Sequence, residues 1–239
     1  MAYDDNGNQV TDASKLAELI IKWTEQFAKQ YGIDSNVISA QQYEESKFRA
    51  WNYSQSGAIG FTQFTVTTIV DWIFIRGPLS ETEKDTLSAG VVGDRTKTNT
   101  FLVSSKKNED YNSIRRANKT VLFQNVVNNP KIMIHAQASL MQFIGNRNGN
   151  IASSSLFAYN RGSGLSSATY VDAISTVVNG RKSATGKILY PKQGKEYSFE
   201  GLKYVDRIFS VLNSGYGYKL DLTINDVATK EVYTRTKSG

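Results

Sequence analysis

The chain has 239 residues, 40% hydrophobic and 21% charged, enough to bury the core of one sizeable domain or of a domain with an appendage. It has no cysteine, which excludes a disulfide framework and a thiolate metal site, and no apolar run approaches the roughly 18 residues that span a bilayer. The net charge of +6 suits polyanionic partners: nucleic acid, anionic lipid or anionic cell-wall polymer. Lys and Arg are scattered, with a mild concentration from Arg95 to Lys119 whose usual role is a solvated face.

In chain order, residues 1–12 are polar and read as a flexible segment. They lack the basic start and apolar stretch of a secretory signal. A first helix is predicted after Thr11 or Asp12, with Leu16, Leu19, Ile20, Trp23, Phe27 and Tyr31 forming one apolar stripe and Gly32 ending it. Ser35 can cap a second helix running to about Phe48. Residues 49–60 read as a loop, and helical pattern resumes near Thr62 and stops at Arg76-Gly77-Pro78.

Ser80-Glu81-Thr82-Glu83 reads as a capping box. Beyond it the pattern is weak up to residue 128, and Val91, Val92, Phe101, Leu102 and Val103 suit short strands or irregular cover. A helix returns from Asn129-Pro130 through Ile144, another covers Ser153 to Tyr159, and others are predicted near 169–178 and from Phe199 to Leu212. Strict alternation at 218–224 predicts a late strand. No internal repeat is visible. His135, the one histidine, has no ligand partners nearby in sequence, so no metal site is expected.

The chemistry concentrates in residues 44–64, EESKFRAWNYSQSGAIGFTQF. Ile38, Gln41 or Gln42, and Glu45 share one face of the second helix, because seven residues make nearly two turns. Glu45 is thus a carboxylate on the stripe that faces protein. Burial there disfavours the charged form and raises the pKa, as a general acid near neutral pH requires. A Glu in such a place is otherwise a groove-edge residue or half of a salt bridge. From Ser46 to Val70 there is no other Asp or Glu, and Asp71 is the first.

These residues resemble the active-site region of the lysozyme-like lytic transglycosylases, the soluble type related to goose-type lysozyme. That family carries Glu-Ser near a helix end, a Ser-containing loop, Gly-Ala-x-Gly-x-x-Gln, and later Ala-Tyr-Asn-x-Gly. Here they stand in order as Glu45-Ser46, Ser54, Gly57-Ala58-Ile59-Gly60-Phe61-Thr62-Gln63 and Ala158-Tyr159-Asn160-Arg161-Gly162. Glu200 to Tyr204-Val205 resembles the family's Glu-Thr-Arg-x-Tyr-Val, in preference to Tyr170-Val171. The likeness covers roughly residues 15–75 and 125–212. It departs at Phe61-Thr62, where the family has Leu-Met, and in the long stretches 73–128 and between Tyr159 and Glu200.

The resemblance implies a mainly α, lysozyme-like fold: a bundle-like helical domain with a substrate groove and minor β elements, spanning 13–215, with an insertion at about 79–128 and a C-terminal extension from 216. It implies cleavage of peptidoglycan between N-acetylmuramic acid and N-acetylglucosamine, without metal or cofactor. Glu45 would donate a proton to the glycosidic oxygen and then take one from the muramoyl C6 hydroxyl, which closes a 1,6-anhydro ring. Ser54 would bind the N-acetyl group, Gly60 would let backbone approach the sugar, and Gln63, Tyr159 and Asn160 would contact substrate. Glu200 and Tyr204 would position the far wall. The partner implied is the glycan strand, in the cell wall, with no nucleic acid expected. Because no secretory signal is visible, delivery as a phage virion component, with other virion proteins as partners, is the expectation, and a phage lysin released through a membrane pore is the alternative. A hydrolytic muramidase using Asp71 or another acid, and a non-catalytic glycan-binding virion protein, are the alternatives; a nucleic-acid binder using residues 95–119 is a third.

Overall fold

The structure is a computed structural model that describes residues 2–49, 52, 54, 57–97, 109–162, 170, 188–190, 195–197 and 200–213. The described residues are mainly helical, with three small antiparallel hairpins. None of their helices is long and apolar enough to cross a membrane. Two compact units are formed, Met1–Leu140 and Met141–Gly239. The division falls within one helix and inside the span read from sequence as a single domain.

In the first unit, β1 (Ala2–Tyr3) pairs with β2 (Gln9–Val10). Residues 2–10, whose polarity suggested a flexible segment, thus form a small hairpin. Asp4 closes the turn by accepting the amides of Asn6 and Asn8, and Asp5 accepts from Lys22, Lys131 and the Trp23 indole. Those contacts, Lys131 foremost, hold the Asp5 carboxyl well below the ordinary range.

Helix α1 (Ala13–Tyr31) begins at Asp12, whose side chain accepts from the Lys15 amide, and ends at left-handed Gly32. Its buried Ile20, Trp23 and Phe27 join Phe61, Ile134 and Ala138 in one core cluster. Helix α2 (Ser35–Ser46) is capped by Asp34 rather than by Ser35. The hairpin β3 (Ala58–Ile59)–β4 (Phe64–Thr65) follows. Helix starts only at α3 (Val66–Thr68), capped by Thr65, and continues as a π-helix over Ile69–Arg76. The helix expected near Thr62 cannot form there, since Gly60 and Gln63 have φ of 72° and 51°. At the π-helix end, a Cβ on Gly77 would lie 2.2 Å from the Trp72 carbonyl oxygen, so only glycine makes that exit.

The capping box is present: α4 (Glu81–Ser88) has reciprocal bonds between Ser80 and Glu83. The sequence-silent region holds a second helix, α5 (Glu109–Asn128), and then α6 (Pro130–Arg147) with proline at its first position. Asn118 on α5 brackets both backbone polar groups of Val92, while Asn125 donates to the carbonyls of Leu87 and Ala89. Arg95 closes the same segment onto Glu81 and Asp85. Among the described residues, Val91 and Val92 lie in irregular chain.

On α6, His135 is held between α1 and α4. Its Nε2 meets the Tyr31 hydroxyl at 2.7 Å, its Nδ1 meets Glu83 Oε1 at 2.6 Å, and the Phe27 ring stacks on it at 4.5 Å. Burial pushes the Glu83 carboxyl up, but bonds from His135 and Ser80 outweigh it and hold it at about 2, below its ordinary 4.5.

The second unit contains the end of α6, α7 (Ala152–Arg161), a short β5 (Ile188–Tyr190)–β6 (Lys195–Tyr197) hairpin, and α8 (Glu200–Asn213). Tyr204, Val205, Ile208, Phe209 and Leu212 are buried at helical spacing on α8. Helices α7 and α8 cross where Gly201 has no side chain: a Cβ there would sit 2.5 Å from Arg161 Cγ and 2.8 Å from Phe157 Cε2. The helix expected at 169–178, apart from Tyr170, and the strand expected at 218–224 lie outside the described residues.

Two predictions follow from packing and charge. Gly201→Ala overpacks the crossing and lowers stability by about 1–3 kcal/mol, read as a lowered urea midpoint. The depressed Glu83 carboxyl contributes stability that is complete above pH 4.5 and lost as pH falls toward 2. Glu83→Gln abolishes that part of the acid sensitivity, on the order of 1–2 kcal/mol, measured by urea unfolding at pH 6 and pH 3.

Candidate functional site

The first unit brings the Glu-Ser and Gly-Ala-Ile-Gly-Phe-Thr-Gln segments into one local assembly. Its base is α2, whose Ile38, Gln41 and Gln42 are fully buried. One stripe thus runs from the core to Glu45, which is half-buried where the helix reaches the surface. Ser46 is buried and donates from its hydroxyl to the Gln42 carbonyl. Glu44 turns elsewhere, onto Lys47 at 3.2 Å.

The rotation of α2 is set by amides with no exposure at all. The Thr24 hydroxyl donates to Gln42 Oε1 and accepts from its Nε2, each at 3.2 Å. Gln42 Nε2 also donates to Gln137 Oε1 at 3.0 Å, and Gln137 Nε2 donates to Gln41 Oε1 at 2.9 Å. Helices α1, α2 and α6 are thereby tied in the interior.

Asn52 joins α2 to the hairpin. Its Nδ2 donates to the Glu45 carbonyl at 3.3 Å, one of the carbonyls that a helix end leaves without an internal partner. Its own carbonyl accepts the Gly60 amide at 2.9 Å and Gln63 Nε2 at 3.3 Å. Gln63 Nε2 also donates to the Gly60 carbonyl at 2.6 Å. Both amide hydrogens of Gln63 are thus engaged with backbone, and Oε1 is the acceptor it can offer a ligand. Ser54 shapes the hairpin entrance: its hydroxyl accepts from the Ala58 amide at 2.9 Å, and its backbone pairs with Ala58. Gly57 and Gly60 have φ of 84° and 72°, which side-chain-bearing residues rarely adopt.

Phe61, which departs from the resembled motif, is 2% exposed in the α1–α6 core cluster, and Thr62 is fully buried. The departure therefore anchors the hairpin and does not line a surface. Asn52 was read from sequence only as a loop residue. Its signal is slight: an Asn a few residues beyond a helix end, where a side-chain donor can reach an unpaired carbonyl.

The other site residues belong to the second unit. Tyr159 and Asn160 are half-buried in the last turn of α7, and Asn160 Oδ1 is a buried acceptor without a hydrogen-bond partner. Tyr204 is 2% exposed, so its ring lies within that unit's core. Glu200 opens α8, and its side chain lies outside the described residues. Tyr170, the residue passed over in favour of Tyr204, is fully buried with its ring 5.4 Å from Phe157.

Comparison with family models, curated proteins and solved structures gives no match to this chain. The chemistry must be argued from the residues. Among the described residues, no three His, Asp or Glu side chains gather as a metal site. Asp71 is bound by Arg76 through Nε at 2.8 Å and through Nη2. In the basic segment, Arg95 is held by Glu81 and Asp85, and Lys97 by Asp94.

Replacing Asn52 tests the joint. Asn52→Ala lowers stability by about 1 kcal/mol, the net worth of an ordinary hydrogen bond. Asn52→Asp lowers it further, because a carboxylate cannot donate to the Glu45 carbonyl. Urea unfolding ranks the three proteins.

Proposed function

We propose that this protein is a peptidoglycan lytic transglycosylase of lysozyme-like architecture, with Glu45 acting as acid and then as base. The observation that carries the reading is the single assembly of Glu45, Asn52, Gly60 and Gln63. Glu45 emerges from a buried stripe, Asn52 ties its backbone carbonyl to the turn made by the buried Gly60 and by Gln63, and no second carboxylate lies on the intervening chain.

Breaking a glycosidic bond needs a proton for the leaving oxygen and relief for the oxocarbenium-like centre. Glu45, protonated, donates to the oxygen between N-acetylmuramic acid and N-acetylglucosamine. The muramoyl N-acetyl group shields the anomeric carbon. Glu45, now ionised, takes the proton of the C6 hydroxyl as that oxygen bonds to C1. A 1,6-anhydro ring forms, the proton count balances, and no water is consumed. Gln63 Oε1 accepts from a sugar hydroxyl or amide. Ser54 supports the hairpin and the N-acetyl group.

The hydrolytic alternative needs a second acid as base or nucleophile. Asp71, the candidate for that role, is committed to Arg76, which favours the route using one acid. The positive net charge suits an anionic wall as substrate.

Digestion of purified sacculi decides the reading. Products one water lighter than reducing-end muropeptides are expected by mass spectrometry, and reducing-end products alone would make the protein a muramidase. Glu45→Gln is expected to lose on the order of 10²–10⁴-fold in rate while its unfolding curve stays close to wild type. Unchanged wall lysis by that variant would remove Glu45 from the chemistry.

A further inference from the structure

Thr24, Gln41, Gln42 and Gln137 are polar side chains buried in the interior of the first unit. Removing one partner from such a chain leaves a buried donor or acceptor unpaired, which is costly. Replacing every partner by apolar groups of similar shape is nearly neutral, because a hydrogen bond in the folded protein replaces one made to water. Stability alone therefore gives no reason for glutamines in this space. A fixed orientation of the helices does give one, since hydrogen bonds are directional and dispersion is not.

The orientation is set at Gln137. Its Oε1 accepts from Gln42 Nε2 at 3.0 Å, and its Nε2 donates to Gln41 Oε1 at 2.9 Å. One amide on α6 thus grips two successive residues of α2. Successive helical residues stand about 100° apart around the axis, so turning α2 in either sense stretches or tilts one of the two bonds. Gln41 and Gln42 stand four and three places before Glu45, in the turn directly below it. A rotation felt at the grip is therefore carried to the acid. Leu or Met at 137 would fill the same space and touch the same helix without resisting that rotation.

We infer that Gln137 is a positioning residue for Glu45. Fully buried, it meets no substrate; its two-point grip on α2 sets the direction in which the acid leaves the protein. This rests on the reading of Glu45 as the acid, and adds a residue of another helix on which the rate of that acid depends.

The test separates direction from stability. In Thr24→Val, Gln41→Met, Gln42→Met, Gln137→Met protein, all four partners are removed together, and the urea midpoint is expected to stay close to wild type. On solubilised glycan strands, kcat is expected to fall on the order of 100-fold with KM about unchanged, the signature of a misplaced acid. Gln41→Met alone removes one of the two points; it is expected to lose about tenfold in kcat, and it decides the matter if the fourfold variant does not fold. A second readout needs no turnover. In protein labelled with 13C at the glutamate carboxyls, the Glu45 signal is identified by its loss in Glu45→Gln. That signal is expected to shift or split in both variants, while that of Glu81 stays in place. Wild-type kcat in a folded variant, or an unmoved Glu45 signal, overturns the inference. The catalytic reading fails separately: a wild-type protein that cleaves nothing, with a Glu45 signal that moves as expected, keeps the hold of Gln137 on Glu45 and removes the transglycosylase.

Discussion

The first unit depends on a chain of buried amides. Thr24, Gln42, Gln137 and Gln41 are each 1% exposed or less, and their side chains bond one to the next across α1, α2 and α6. Apolar packing alone would hold three helices together but would tolerate small rotations, since dispersion is not directional. An amide chain does not. A slip of α2 by one residue would leave several buried donors and acceptors unpaired, at roughly 1–3 kcal/mol each. The aim of α2 is fixed inside the protein, and Glu45 inherits that aim one turn beyond Gln41.

The surface end of α2 has the opposite character. Four side-chain-bearing residues among those described have left-handed backbone, and three of them, Lys47, Phe48 and Gln63, lie within the 45–63 segment. The fourth, Asn150, is of a type that tolerates the conformation. Each of the three costs about 1–2 kcal/mol and persists only where surroundings over-determine it. Those surroundings can be named. The Lys47 amide bonds the Tyr43 carbonyl, Asn52 bridges helix and hairpin, the Gln63 side chain ties back to Gly60, and Phe61 is driven into the core. Rigid interior and strained rim together hold side chains at defined positions without a long regular element at the surface.

How far this was readable depends on whether the inner face of each element is apolar. Helix α1 has a clean stripe between Asp12 and Gly32, and α6 and α8 are similar, so periodicity located them. Helix α5 was invisible because its inner face carries Asn118 and Asn125, two turns apart, that bind backbone of residues 87–92. A polar residue used inwardly looks, in a sequence, like one used outwardly. The N-terminal hairpin was missed for the same reason: Asp5 reads as solvated yet is the residue that fastens the segment. The second half of the hairpin at 58–65 suggested a helix start because nearly all of the hairpin's residues are buried, whichever way they point, which hides the two-residue alternation of a strand. At the site, the order of Glu45, Gly60 and Gln63 was visible. The joint made by Asn52 was not, since nothing in its neighbours distinguishes it from any loop asparagine.

The distribution of carboxylates bears on what chemistry is open to such a site. The acids that flank Glu45 in the sequence each have a structural task. Glu44 balances Lys47, and Asp71 is bound by Arg76 across the outer side of the π-helix. In the proposed reaction a water-activating base or a nucleophile would have to present its charge to the sugar, and a carboxylate held through two bonds by a guanidinium has fewer lone pairs to offer. Recruiting Asp71 would mean breaking that pair and reorienting a side chain on a helix whose Trp72 is itself tied to Ser139. In the proposed reaction the substrate supplies its own nucleophile, the C6 hydroxyl, and that need falls away. One half-buried acid then suffices, provided that its helix cannot rotate, which is the condition the buried amides impose.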